Sequence, residues 1–455
     1  MSSGDALGQF WKKETAEEQT ILEEDLLVEK QQSTWHTAIL GLQHLLAMYS
    51  GDILVPLLVG SALKFNSQQM AYLISADIFM CGIATLLQIK RTPWTGIGLP
   101  VVLGCAVEYV APLQHIGTTL GHSYMYGSII AAGLFLLLCG GVFAKLRRFF
   151  PTIVTGSLIT LIGFTLIPVA FQNLGGGNAQ AKNFGSPINL LLGFSTIIII
   201  LVLNVWTRGF IQQIAILLGI VAGSLLAVIL GQVGFEPVGQ AQWFQLPQLF
   251  YFAQPHFEWS SIVTMVLTAI TCMIESTGVY FALSEVVGQD LKEQDLAAGY
   301  RAEGLAAILG GVFNTFPYST FSQNVGIVQL SGIKTLRPVY FSAFFLLILG
   351  LIPKVGAIAT LIPTSVLGGA MVVMFGMVGA QGIKMLAGVD LNTKNLLVIA
   401  ISLGLGLGVS AQPHLFQFLP ATCQTVLSNG MVVGSLTAVI LNLLLNGAPH
   451  QDTAH

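Results

Sequence analysis

The sequence predicts an all-α polytopic membrane protein of 14 transmembrane segments, arranged as two inverted halves of seven. Three observations predict it. The first is composition: 54% of the residues are hydrophobic and only 9% charged. Soluble domains carry about 25% charged residues, so this chain could not cover a water-facing surface. The second is charge placement. With an even number of spans and both termini inside, every Lys and Arg except Lys64, Lys182 and Lys354 falls on the inner side, as the positive-inside rule demands. The third is a coincidence of interruptions: the third and tenth apolar segments, which correspond in the two halves, are both short and broken.

Each element follows in order. A hydrocarbon core of about 30 Å asks for about 20 apolar residues per helix. Residues 1–32 are polar and lack the apolar core and cleavage site of a signal peptide, so they read as a cytosolic tail. The first half, 33–232, has apolar windows near 37–59, 70–89, 96–113, 124–144, 151–172, 188–206 and 211–232. An outer loop at 233–258, free of Lys and Arg, leads to the second half, 259–446. Its windows lie near 259–285, 296–314, 317–332, 337–353, 357–380, 394–410 and 424–446, and 447–455 form a second cytosolic tail. An odd number of spans per half inverts the second half relative to the first. The interrupted segments read "WTGIGLPVVLGCAVEY" and "FPYSTFSQNVGIVQLSG". Unwound backbone survives in a membrane only where protein or a polar cavity satisfies it, and paired interruptions point to a transporter's binding site.

Polar residues inside the apolar windows are the candidate site. An acidic group at a helix centre costs ~2.5–3.5 kcal/mol on insertion scales, so each needs a partner, a proton or a purpose. Glu275, in "ITCMIESTGVYF", can accept hydrogen bonds from a ligand or carry a proton. Glu303, two residues after Arg301, reads equally as a site group or an interfacial charge. Gln323 and Asn324 offer paired donors and acceptors able to read the edge of a flat heterocycle without a fixed charge. His44, beside Gln43, reads as a bonded structural group. Asp52 and Asp77 read as helix-to-helix bonds, and Glu108 as a residue reaching the outer interface.

Other chemistries are not predicted. The five cysteines lie in apolar stretches and imply no disulfide. A net charge of −3 carries no message about nucleic acid. The chain has no H-E-x-x-H, nucleophile elbow, Cys/His metal cluster or phosphate-binding G-x-x-x-x-G-K-[ST] run. Neither an enzyme, a metal or cofactor, nor ATP-driven transport is expected. A channel would need a polar stripe along several helices.

The stretch "QNVGIVQLSG" resembles the signature of the nucleobase–ascorbate transporter family, with Gln323, Asn324, Gly326 and Gly332 matching and Ser331 in place of the usual Thr. "GLQHLLAMYSGDILVPLLVG" looks like the family's first helix, and "GIGLPVVLGCA", which includes Gly104, like its third segment. Glu275 and Glu303 fall at its eighth- and ninth-helix acidic positions. The resemblance spans about residues 33–446.

It implies inverted seven-segment repeats in which segments 3 and 10 each begin as a short β-strand. Segments 1–4 and 8–11 would form a core domain, and 5–7 and 12–14 a gate domain that is also a homodimer surface. By this resemblance Glu275, Gln323, Asn324 and Gly104 form the base site, while Glu303 and His44 support it or carry protons. The implied function is uptake of a purine base by proton symport across the plasma membrane, through an elevator-type exchange of access. Gln–Asn opens the signature in xanthine and urate carriers; uracil carriers have Glu–Asn and a His where this chain has Val279. Xanthine is expected first and urate second, with a uracil carrier as the alternative. A sulfate-permease-like anion carrier shares the architecture, but the two acids at this chain's expected site would repel an anion.

Overall fold

The computed structural model describes residues 34–146, 151–419, 427 and 430–447. The expected tail at 1–32, the one at 447–455 beyond its first residue, and Cys423 lie outside the described residues. In the first half, α1 (Thr34–Asp52) and α2 (Leu54–Ala62) make one span. It is interrupted because Pro56 has no N–H to give the Asp52 carbonyl four residues back. Next comes α3 (Ser67–Ile89), opened by a reciprocal pair of bonds between Asn66 and Gln69 at 2.9 and 3.0 Å. The third segment is β1 (Leu103–Cys105), a 3₁₀ turn (Val107–Tyr109) and α4 (Val110–Thr119). Then follow α5 (His122–Leu146), α6 (Thr152–Leu174), α7 (Pro187–Trp206) and α8 (Ala215–Ile229).

The second half repeats the plan. It runs through α9 (Trp259–Val287), α10 (Glu293–Val312), β2 (Tyr318–Thr320), α11 (Gln323–Ser331), α12 (Arg337–Gly350) and α13 (Pro353–Ala359). It ends with α14 (Thr364–Ala387), α15 (Thr393–Ala411) and α16 (Gly430–Asn446). Among the described residues 8 helices are long and apolar enough to cross a membrane alone, and α12 with α13 would make a ninth. Helices α8 and α16 are shorter apolar spans. Helix α10 carries Glu293, Asp295, Arg301 and Glu303, so its crossing depends on burial rather than hydropathy.

The windows at 337–353 and 357–380 are cut differently from expectation. Helix α13 turns 88° from α12. Gly350 sits directly on the Phe79 backbone, where a Cβ would come within 2.3 Å of the Phe79 nitrogen. Pro353 then opens a new helix at a position that needs no N–H.

Packing sorts the helices into the expected core and gate. Helix α12 lies on α1 and α3, and α10 on α5; α14 lies on α6, α7 and α8, and α15 and α16 pack on each other and on α6. Small residues allow the closest approaches in both domains. Gly133 of α5 meets Gly304 of α10, and Gly163 of α6 meets Gly379 of α14. The connecting loop folds over one end of the core. Its Phe252 and Ala253 amides donate to Asn314 Oδ1 at 2.8 and 3.0 Å, and Tyr251 stacks on Tyr72.

Candidate functional site

Strands β1 and β2 pair antiparallel, with Leu103 opposite Thr320, Gly104 opposite Ser319 and Cys105 opposite Tyr318. Pro100 and Pro317 precede them and bias the backbone toward extended conformations. Two strands in a membrane leave edges that must be satisfied. Side chains do this for β1. The Leu103 amide donates to Thr85 Oγ1 at 3.0 Å, and the Cys105 amide to Asp52 Oδ1 at 2.7 Å. The Phe321 amide reaches the Val102 carbonyl at 3.1 Å, carrying the ladder past β2.

A cavity of about 60 Å³ opens where the strands end. The core lines it with Cys105 to Glu108, Glu275 of α9, and Ser319 to Gln323. The gate closes it with Ile162 and Leu166 of α6 and Met374, Phe375 and Val378 of α14, all apolar. One wall is polar and the other greasy. Among the described residues no Lys, Arg or His lines the cavity. Two turns beyond Glu275, Ala282 and the following Glu285 of α9 line a wider recess of about 510 Å³ with Val325, Val328 and Gln329 of α11.

The structure brings together two of the expected binding residues and places the others around them. Glu275 and Gln323 face the same cavity; Glu275 is half-buried and Gln323 exposed. Asn324, although adjacent, points away. Its Nδ2 donates to His44 Nδ1 at 2.9 Å and to the His44 carbonyl at 3.2 Å, pinning α11 to α1. As a ring acceptor at Nδ1, a neutral His44 carries its proton on Nε2. Gly104 also lies behind the lining, where a Cβ would come within 2.6–2.8 Å of Phe321, Asp52 and Met48. Glu303 is fully buried rather than interfacial. It accepts a bond from Tyr280 Oη at 2.6 Å, and Tyr280 is in turn bonded to Gln88, so the acid ties α10 to α9 and α3.

Glu108 is the site residue that sequence reasoning missed. Instead of reaching an interface it is 5% exposed and lines the same cavity as Glu275. A signal existed. Glu108 stands three residues after β1 ends at Cys105, just as Gln323 stands three after β2 ends at Thr320. It is the inverted-repeat counterpart of Gln323. Asp52, expected to link helices, accepts a bond from Cys81 of α3 and also holds the β1 backbone, whereas Asp77, of which the same was expected, is bonded by strand residues.

Polar donors and acceptors against an apolar lid can hold a flat polar ring, and unpaired acids can hold a proton. Comparison with known proteins agrees in kind. Residues 36–415 match a model described as a permease family. The chain is 53% identical over 416 residues to the uric acid permease PucK of Bacillus subtilis, covering 91% of this chain and 96% of that one. It is 51% identical over 411 residues to the xanthine permease of Bacillus subtilis, covering 90% and 94%. In fold it is similar to the transmembrane domain of a cyanobacterium bicarbonate transporter, BicA, at a TM-score of 0.59 and 16% identity over 81% of this chain and 96% of that one. It is also similar to murine Slc26a9, at a TM-score of 0.60 and 12% identity over 91% of this chain and 69% of that one. These structures share the fold of inverted seven-segment repeats split into core and gate. With its signature, its broken segments and this extent of identity, the chain belongs to the nucleobase–ascorbate transporter family of permeases, multi-pass membrane transporters rather than enzymes.

Proposed function

We propose that this protein takes up a purine base, xanthine first and urate second, across the plasma membrane together with a proton. The observation that carries the reading is the convergence of Glu275 and Gln323 on one cavity at the strand crossing. The relatives named as uric acid and xanthine permeases support the substrate class. Val279, buried one turn after Glu275, stands where a uracil carrier has His, which weighs against uracil. In this reading Gln323 donates one bond to the base and accepts another, and Glu275 takes a ring N–H. Asn324 and His44 hold the α11 start in place, and Gly104 lets the strands approach.

The cavity has room for a few water molecules rather than a purine. The apolar wall of α6 and α14 must therefore move relative to the core to admit the base, and sliding of core past gate is the motion this boundary allows. Protons enter through the acids. With no cation at the cavity, Glu108 and Glu275 bind a polar or anionic ring only when at least one is neutral. Protonation from outside loads the site and release inside resets it, with Glu303 one helix behind. By charge placement both termini and the recess at Glu285 and Lys334 face the cytoplasm. The gate helices α7, α15 and α16 expose apolar rows, including Ile198, Leu201, Leu405 and Leu444, which suit lipid and a second copy of the chain.

Uptake of radiolabelled xanthine into cells, challenged with urate, uracil, hypoxanthine and guanine, tests the substrate. Saturable accumulation, blocked by urate and abolished by an uncoupler, is the expected result. Stronger competition by uracil than by urate, or accumulation that ignores the uncoupler, would overturn the reading.

A further inference from the structure

Around β1 lies a second group of acids and thiols, of which only Cys105 also lines the base cavity. Asp52, at the break between α1 and α2, is 1% exposed, and Asp77 of α3 is fully buried. Cys81 Sγ lies 3.2 Å from Asp52 Oδ1, and Cys105 Sγ lies 2.9 Å from both oxygens of Asp77. The ligand atoms of Asp52, Asp77 and Cys105 all fall within 4.8 Å of one another. The other groups facing the two carboxyls are the phenols of Tyr318, which donates to Asp77 at 2.9 Å, and of Tyr49. None of these is a Lys, Arg or His. Asp52 Oδ2 is buried with no partner.

We propose that Asp52, Asp77, Cys81 and Cys105 form a binding site for a thiophilic divalent cation of the Zn²⁺ or Cd²⁺ type. Two carboxyl groups out of water, without a basic partner, stay ionised only with a compensating cation. The donor set selects which. Thiolates favour soft or borderline metals, whereas Mg²⁺ and Ca²⁺ prefer all-oxygen shells. Bonds of about 2.3 Å to sulfur and 2.0–2.2 Å to carboxylate oxygen call for the wider-spaced ligand atoms to move inward and the Cys105–Asp77 contact to open slightly. Binding releases whatever protons the four groups hold and breaks no covalent bond other than S–H and O–H, so affinity rises with pH. The unpartnered Asp52 oxygen supplies a free ligand atom. Cys105 also lines the base cavity, which gives a cation its way in. Sequence spacing could not reveal this site, because its ligands come from α1, α3 and β1.

The test uses the purified full chain in detergent, titrated with Cd²⁺ alone and read by the ultraviolet thiolate-to-cadmium absorption and by bound metal after gel filtration. One equivalent per chain is expected, with binding weakened at least ~10-fold by Cys105→Ser or Asp77→Asn, the loss of one ligand. Cys139→Ser, outside the group, should leave it unchanged. Cys81→Ser keeps a hydroxyl beside Asp52 and provides a second ligand-deletion variant if Asp77→Asn fails to fold. Purine binding by the Asp77→Asn and Cys81→Ser chains, neither changed at a residue lining the base cavity, reports folding independently. A chain that binds purine but takes up no cadmium, or whose cadmium affinity is unchanged by both Cys105→Ser and Asp77→Asn, would overturn the proposal and leave a hydrogen-bonded acid pair only.

Discussion

The two broken segments have the same architecture and opposite chemistry. Each is a proline-led, three-residue strand followed by a helix, and the strands pair with each other across some 200 residues of sequence. Three residues past β1 stands an acid, Glu108; three past β2 stands an amide, Gln323. One residue further, Tyr109 is buried in the core on the first side while Asn324 reaches His44 on the second. Gly104 of β1 leaves space for the Phe321 ring, whereas Ser319 opposite it has a side chain lining the cavity. An inverted repeat gives two equivalent backbone positions at one crossing, and divergence has put a carboxyl at one of them and an amide at the other. The difference between the halves, not their likeness, makes the site.

That contrast can be broken from either side. Gln323→Glu makes the second half acidic like the first and puts three carboxyls in a cavity without a cation. Like charges brought together cost several kcal/mol, so xanthine uptake should fall about 100-fold or more, with residual transport shifted toward uracil in competition assays. Glu108→Gln makes the first half an amide like the second. Uphill uptake should fall about 10-fold, about 1.4 kcal/mol, and lose its pH dependence, while exchange of xanthine across the membrane persists. An unchanged pH profile would remove Glu108 from proton coupling. Asn324→Ala should lower stability in detergent by about 1–3 kcal/mol, since it strands a buried His44 nitrogen. Xanthine affinity should change less than that of Gln323→Ala, measured by binding to the purified protein. Gly104→Ala, meeting the ends of the Met48 and Phe321 side chains, should cost about 1 kcal/mol of stability. Ser319→Ala should cost less, as a thermal melt would show.

Much of this was legible in the sequence. The apolar windows, the inner bias of Lys and Arg and the paired interruptions all depend on local composition, and the helices follow them closely. The exception is instructive. The window at 357–380 began too early because hydropathy does not register that Gly350 must touch the Phe79 backbone and turn the chain by 88°. Of the polar residues, Glu275 and Gln323 stood out in apolar surroundings and do share the cavity. Asn324 stood beside Gln323 in sequence yet faces His44, and Gly104 lies behind the lining. Helix and strand geometry sends neighbouring side chains to different faces. Glu108 looked like an end-of-segment residue until the pairing of β1 with β2 put it opposite Glu275.

By itself, then, the order of residues determined that the chain crosses a membrane many times, in two inverted halves, with both weak segments in matching places. Each of these depends on lengths and charges that the bilayer reads one segment at a time. Only the tertiary structure decided which polar groups meet. A site assembled from α9, α11 and the turn after β1 depends on strand register and helix rotation, and these are set by contacts between residues far apart in the chain.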